Sequence, residues 1–311
     1  MPVTPSLSIQ LRSFAAADPG SWQALLDQAR AADDAGIGKV VVSDHVAFGP
    51  SLDDYGNPQR GGIAGGQQPT GPDGHWLEPI TVLGVLSGLT QHVRLGTNIL
   101  LAALRRPVVL AKQLATLDVL SEGRVDLGVG VGWQEAEYEA CGVPFGRRGE
   151  VLDATLEICR RLWTETEVSY SSTDLTFSRI HAMPKPRQAG GVPIWVSGTV
   201  NPRSMRRLAS FGNGWIPWGP DAADIVSGAA AMRQAVDQLG RDPATIQIVG
   251  TLRTTMGANG VDVAATMDQV PGLRDAGVTD FRISPALPAD QAGATEILSA
   301  YVDGFRAALD G

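Results

Sequence analysis

A chain of 311 residues, 43% hydrophobic and 19% charged, carries enough apolar side chain for a large folded core. Its formal net charge of −8 speaks against a nucleic-acid or anionic-membrane surface, although an acidic protein still binds a small anion at a helix N-terminus. No stretch reaches the ~18 apolar residues of a membrane span, the opening MPVTPSLSIQ is unlike a secretory leader, and Cys141 and Cys159 form no CxxC pair. A reduced, cytoplasmic location is expected.

A first strand falls at 6–12 (SLSIQLR). Residues 22–36 place Leu25, Leu26, Ala29 and Ala32 on one helical face and stop at Gly36. The next strand, 39–44 (KVVVSD), runs into the Asp44-His45 pair. Residues 46–76, rich in Gly, Pro and Gln, are too long for a plain connection and read as a lid or binding loop. A strand at 93–100 (VRLGTNIL) leads to a helix at 107–123 that begins with Pro and ends with Gly. The strand at 125–131 sets Gly128, Gly130 and Gly132 on one face, and residues 150–165 repeat apolar side chains at helical spacing. Residues 167–184 alternate like a β-hairpin. Strands at 192–198, 214–218, 246–253 and 280–286 and a last helix at about 289–309 complete the chain. Eight strands alternating with helices predict a single α/β domain over 1–311, a (β/α)8 TIM barrel with insertions after strands 2 and 4, rather than an open doubly wound sheet.

In such a barrel the active site gathers at the carboxyl ends of the strands. Those ends are Arg12 and Ser13, Asp44 and His45, Asn98 and Ile99, Val131 to Trp133, Ser197 to Thr199, Trp218 and Arg253. Asp44-His45 reads as a capping acid beside a packed histidine, or as a ligand site. Thr97-Asn98 reads as a polar pair bonded to neighbouring backbone, or as part of a site. The three glycines leave room for packing or admit a flat ligand. Ser197-Gly198-Thr199, before a helix start at about Pro202, is a hydroxyl-capped turn or a phosphate cradle. His75, His92 and His181 form neither HxH nor HExxH, so no metal site is expected. GxSxG, GxGxxG and the P-loop pattern are also missing. What remains suits a flat cofactor with a phosphate.

The segments VVVSDHV, VRLGTNILLAALRRPVVLAKQLATLDVLSEGRVDLGVGVGW and VPIWVSGTVNPRSMRRLASFGNGWIP closely resemble the luciferase-like flavin and deazaflavin oxidoreductases, especially the branch that uses coenzyme F420. The resemblance implies the luciferase-like form of the barrel, a cytoplasmic homodimer, and hydride transfer between F420 and a small organic substrate. It assigns Asn98 and Ile99 to a bulge under the deazaflavin ring, joined by a cis peptide. Asp44 goes to the polar edge of the ring, Val131, Gly132 and Trp133 to ring or linker contacts, and Ser197, Gly198 and Thr199 to the phosphate tail. His45 becomes the catalytic group, stabilising charge or exchanging a proton near neutral pH. The F420-dependent glucose-6-phosphate dehydrogenases have Glu where this chain has Trp133 and a Trp where it has Gly49. That sugar phosphate is therefore not expected as substrate, and Trp76, Trp133 and Trp218 point to an apolar or aromatic pocket. An FMN-dependent monooxygenase served by a cofactor-reducing partner enzyme, and a non-catalytic flavin-binding protein, stay open as alternatives.

Overall fold

Lys39–Val42 is buried along its whole length, as a parallel strand covered on both faces requires. In a computed structural model, which describes residues 4–257 and 260–310, this strand and seven others close into a barrel. The strands are β1 (Ser6–Gln10), β2 (Lys39–Val42), β3 (Arg94–Thr97), β4 (Val125–Val129), β5 (Ile194–Gly198), β6 (Gly214–Pro217), β7 (Gln247–Thr251) and β8 (Asp280–Ile283). Each pairs in parallel with its sequence neighbours, and β8 pairs with β1 through Ser6↔Asp280 to Ile9↔Ile283 to close the ring. The expected (β/α)8 barrel is therefore what the chain forms; the outermost limits, 1 and 311, lie outside the described residues.

The outer helices are α1 (Gln23–Ala35), α2 (Pro79–Leu89), α3 (Pro107–Leu120), α4 (Glu135–Ala140), α5 (Arg148–Thr164), α6 (Pro202–Phe211), α7 (Ile225–Gln238) and α8 (Gln291–Asp310). Two of them show why the chain turns where it does. Gly36 ends α1 in the left-handed conformation with its N–H on the last turn, and the Asn201 side chain accepts from Arg203 and Ser204 N–H to cap α6. Leu7, Ile9, Val40, Val42, Leu95 and Leu127 face the helices and belong to one continuous core. Inside the ring Trp195, Ile216 and Val249 form a smaller apolar cluster with Ile99 packed against it.

The insertion before β5 is an antiparallel hairpin, Val168–Ser171 with Thr176–Ile180. A second hairpin after β7, Thr255–Gly257 with Gly260–Asp262, carries no strand pattern in the sequence. Gly128 resolves one sequence ambiguity: a Cβ there would lie 1.9 Å from the Thr97 carbonyl oxygen, so packing between strands requires glycine. Among the described residues no helix is long and apolar enough to cross a membrane.

Candidate active site

The carboxyl ends of β1, β2 and β3 carry a polar floor. Gln10 donates through Nε2 to Ser43 Oγ at 2.6 Å, and Asn98 donates through Nδ2 to Gln10 Oε1 at 3.0 Å. The Asn98–Ile99 peptide is cis, the bond that the resemblance singles out. Thr97 has a different task. Its hydroxyl donates to the Gly128 carbonyl at 2.7 Å, so of the Thr97-Asn98 pair only Asn98 joins the floor.

Asp44 has partners within the chain. Its side chain has no exposed surface, and its carboxylate is shared by both terminal nitrogens of Arg105 and by Leu101 N–H at 2.8 Å. Arg105 reaches on to Glu78 Oε1 at 3.0 Å, and Glu78 caps α2 through Thr81 N–H. Burial pushes the Asp44 carboxyl up, and Arg105 pulls it back. A carboxylate so enclosed needs its counter-charge, and this one ties the chain just after β2 to the loop that follows β3.

His45, next along the chain, does face a working cluster. Its Nδ1 lies 3.1 Å from Glu137 Oε2, while Gln68 Nε2 stands 3.4 Å from its Nε2. Phe48 packs on the ring at 4.4 Å between centroids, Trp76 meets it edge-on at 4.8 Å, and Trp133 at 5.9 Å. Glu137 on α4 is 1% exposed, and its other oxygen accepts the N–H groups of Val46 and Ala47. Since a carboxylate only accepts, the network assigns the proton to Nδ1 and leaves Nε2 as an acceptor for the Gln68 amide. Glu137 is the residue that sequence reasoning missed. In EAEYEA three glutamates alternate, and only the docking of α4, with Tyr138 buried and its hydroxyl on the Val131 carbonyl at 2.7 Å, turns the middle one inward.

Residues 46–76 lie over this cluster. Gly49 N–H donates to Gln134 Oε1 at 2.8 Å, Arg60 bridges Asp54 and Glu135, and Trp218 Nε1 donates to the Gly62 carbonyl at 3.2 Å. Gly61, at φ +101°, seats on Gly132: a Cβ would come within 2.7 Å of the Gly132 oxygen. Trp133, 5% exposed, packs edge-on against Tyr55 of this loop. Val131 and Gly132 stay half-buried, and within the chain the three residues contact Tyr138 and the lid. Of the other two tryptophans expected at the pocket, Trp76 stacks on Phe14 at 4.3 Å and flanks His45, whereas Trp218 tethers the lid.

The turn after β5 is also partly committed. The Gly198 carbonyl accepts from Trp215 Nε1 at 2.9 Å, Val200 N–H donates to Asp221 Oδ2 at 2.7 Å, and Asn201 takes the first free amides of α6. Ser197 and Thr199 remain half-buried. Nearby, the half-buried Arg148 has an unpartnered Nε, and burial together with the charges of Arg60 and Arg203 pushes its guanidinium down. The unpartnered Nε of Arg148, with Arg203 at the start of α6 acting on the same guanidinium, fits an anionic cofactor tail.

Comparison with known proteins agrees with this architecture. The sequence model of the luciferase-like monooxygenases matches residues 5–272. An uncharacterized protein of Mycobacterium tuberculosis is 34% identical over 234 residues, covering 75% of this chain and 76% of that protein. Among solved structures, an F420-dependent secondary alcohol dehydrogenase in complex with an F420–acetone adduct superimposes with a TM-score of 0.73 at 17% identity, over 97% of this chain and 99% of the other. The monooxygenase RslO1 from Streptomyces bottropensis does so with a TM-score of 0.71 at 19% identity, over 96% and 99%. At these identities the two structures establish the fold.

Proposed function

The chain belongs to the luciferase-like monooxygenase family, and from that premise we propose that it is an F420-dependent oxidoreductase acting on a small organic substrate at the carboxyl face of its barrel. The observation that carries the reading is His45: an imidazole enclosed by Phe48, Trp76 and Trp133, bonded to a buried carboxylate, one residue beyond the clamp that ties β2 to β3. The likeness to an F420-dependent alcohol dehydrogenase supports it.

Asn98 and Ile99 would hold the flat ring, and Ser197, Gly198 and Thr199, together with Arg148 and Arg203, would hold its phosphate-bearing tail. When bound, F420 supplies a two-electron hydride donor or acceptor. The protein's own part is to keep water out beneath the lid and to exchange a proton at His45 Nε2 with the substrate. The aromatic wall favours an apolar or aromatic substrate.

The test is a fluorescence titration of the purified protein with F420 and with FMN, followed by turnover under anaerobic conditions. Saturable F420 binding and oxygen-independent turnover are expected. Tight binding of FMN alone, with turnover that requires oxygen, would instead identify a flavin monooxygenase.

A further inference from the structure

The two ring nitrogens of His45 are held by Glu137 on α4 and by Gln68 of the lid, neither of them singled out in the sequence. We infer that Glu137 is a positioning residue that locks His45 in its Nδ1–H tautomer, and that the lid residue Gln68 stands where the oxygen of an alcohol or carbonyl substrate binds. The inference rests on the oxidoreductase reading for its second half only.

Three observations carry it. Glu137 is fixed at both ends: one oxygen accepts Val46 and Ala47 N–H, the other lies 3.1 Å from Nδ1. The carboxylate therefore has no freedom to swing away, and it imposes a proton on Nδ1. Gln68 contacts Nε2 at 3.4 Å, a long and easily exchanged bond. The His45 side chain is only 9% exposed, ringed by Phe48, Trp76 and Trp133, so Nε2 is reached where Gln68 stands. In alcohol oxidation the hydroxyl proton passes to Nε2 while the carbon loses hydride to the oxidised cofactor. The product is a carbonyl, and the imidazolium is paired with Glu137. In reduction Nε2 returns that proton to the carbonyl oxygen as hydride reaches the carbon.

Histidine-labelled protein, read by long-range ¹H–¹⁵N correlation NMR, tests the tautomer without cofactor; His45→Asn identifies the signal among four histidines. Wild type should show Nδ1–H with Nε2 unprotonated. In Glu137→Gln the backbone N–H groups keep the amide oxygen, so the NH₂ faces Nδ1 and the tautomer should invert to Nε2–H. Its kcat should fall about 10²–10⁴-fold with a changed pH profile and a KM close to wild type. An Nε2–H wild type, or a tautomer unmoved by Glu137→Gln, overturns the positioning role. Gln68→Ala should keep the Nδ1–H tautomer and lower the KM for substrate, because no amide is displaced; a raised KM overturns the stand-in role. If Glu137→Gln does not fold, the wild-type tautomer and the Gln68→Ala variant still decide. Absence of F420-dependent turnover with the tautomers as described would refute the F420 reading and uphold the positioning role.

Discussion

Truncating His45 to alanine removes the imidazole while leaving the floor of Gln10, Ser43 and Asn98 and the Asp44–Arg105 clamp in place. If His45 handles the substrate's proton, kcat should drop about 10²–10⁴-fold, with the dissociation constant of the cofactor within about threefold of wild type. Stopped-flow turnover and a binding titration separate the two quantities; unchanged turnover would remove His45 from the chemistry. The pair Asp44-His45 also shows how far single residues were legible. Their place at a strand end followed from the buried run before them. Their division of labour did not, because it is set by partners 61 and 92 residues away, Arg105 and Glu137. Nothing local distinguishes a clamping acid from a ligand-binding one. Trp133 likewise left a missing acid beside the histidine, and α4 supplies one from four residues further on.

At the scale of elements, the strands were readable because each is a short run with a buried apolar stretch, and a parallel barrel strand has little solvent face to interrupt it. The lid announced itself by length and composition, but its seat did not, since that depends on Gly61 meeting Gly132 and Trp218 meeting Gly62 across the mouth. Gly61 is the sharpest probe of that seat. An alanine would meet the Gly132 oxygen at 2.7 Å from a backbone at φ +101°, and left-handed backbone alone costs about 1–2 kcal/mol. Gly61→Ala should therefore raise amide exchange across residues 52–68 by about ten- to thirtyfold while α3 and α5 keep wild-type protection. Hydrogen-exchange mass spectrometry reads both at once. Equal protection of the lid in the two proteins would mean that its closure does not depend on the Gly61–Gly132 contact.

The molecule as a whole rests on an ionic centre inside the ring. Lys39 on β2 lies 3.0 Å from Asp126 on β4 and 2.9 Å from Asp280 on β8, over the face of Trp195 on β5. Arg94 and Ser8 complete the two carboxylates. Residues of four strands, β2, β4, β5 and β8, thus meet at one ammonium. Burial works to raise both carboxyls, but Lys39 acting with Arg94 at Asp126, and with Arg282 and Ser8 at Asp280, holds them below the ordinary aspartate range. A depressed folded-state value means that the unfolded chain binds more protons. The stabilisation is therefore complete above the unfolded value near pH 4 and is lost as the pH falls below it towards the folded value. Lys39→Met leaves two buried carboxylates without their shared cation, a loss of about 3–5 kcal/mol at neutral pH. Their values should then rise, so that acidification relieves the variant before it harms the wild type. Urea unfolding between about pH 4 and pH 7 should show the stability gap narrowing as the pH drops. A gap constant across that range would mean that the carboxylates stay compensated without Lys39, by Arg94 and Arg282 alone, and that the centre of the barrel is not organised around this one residue.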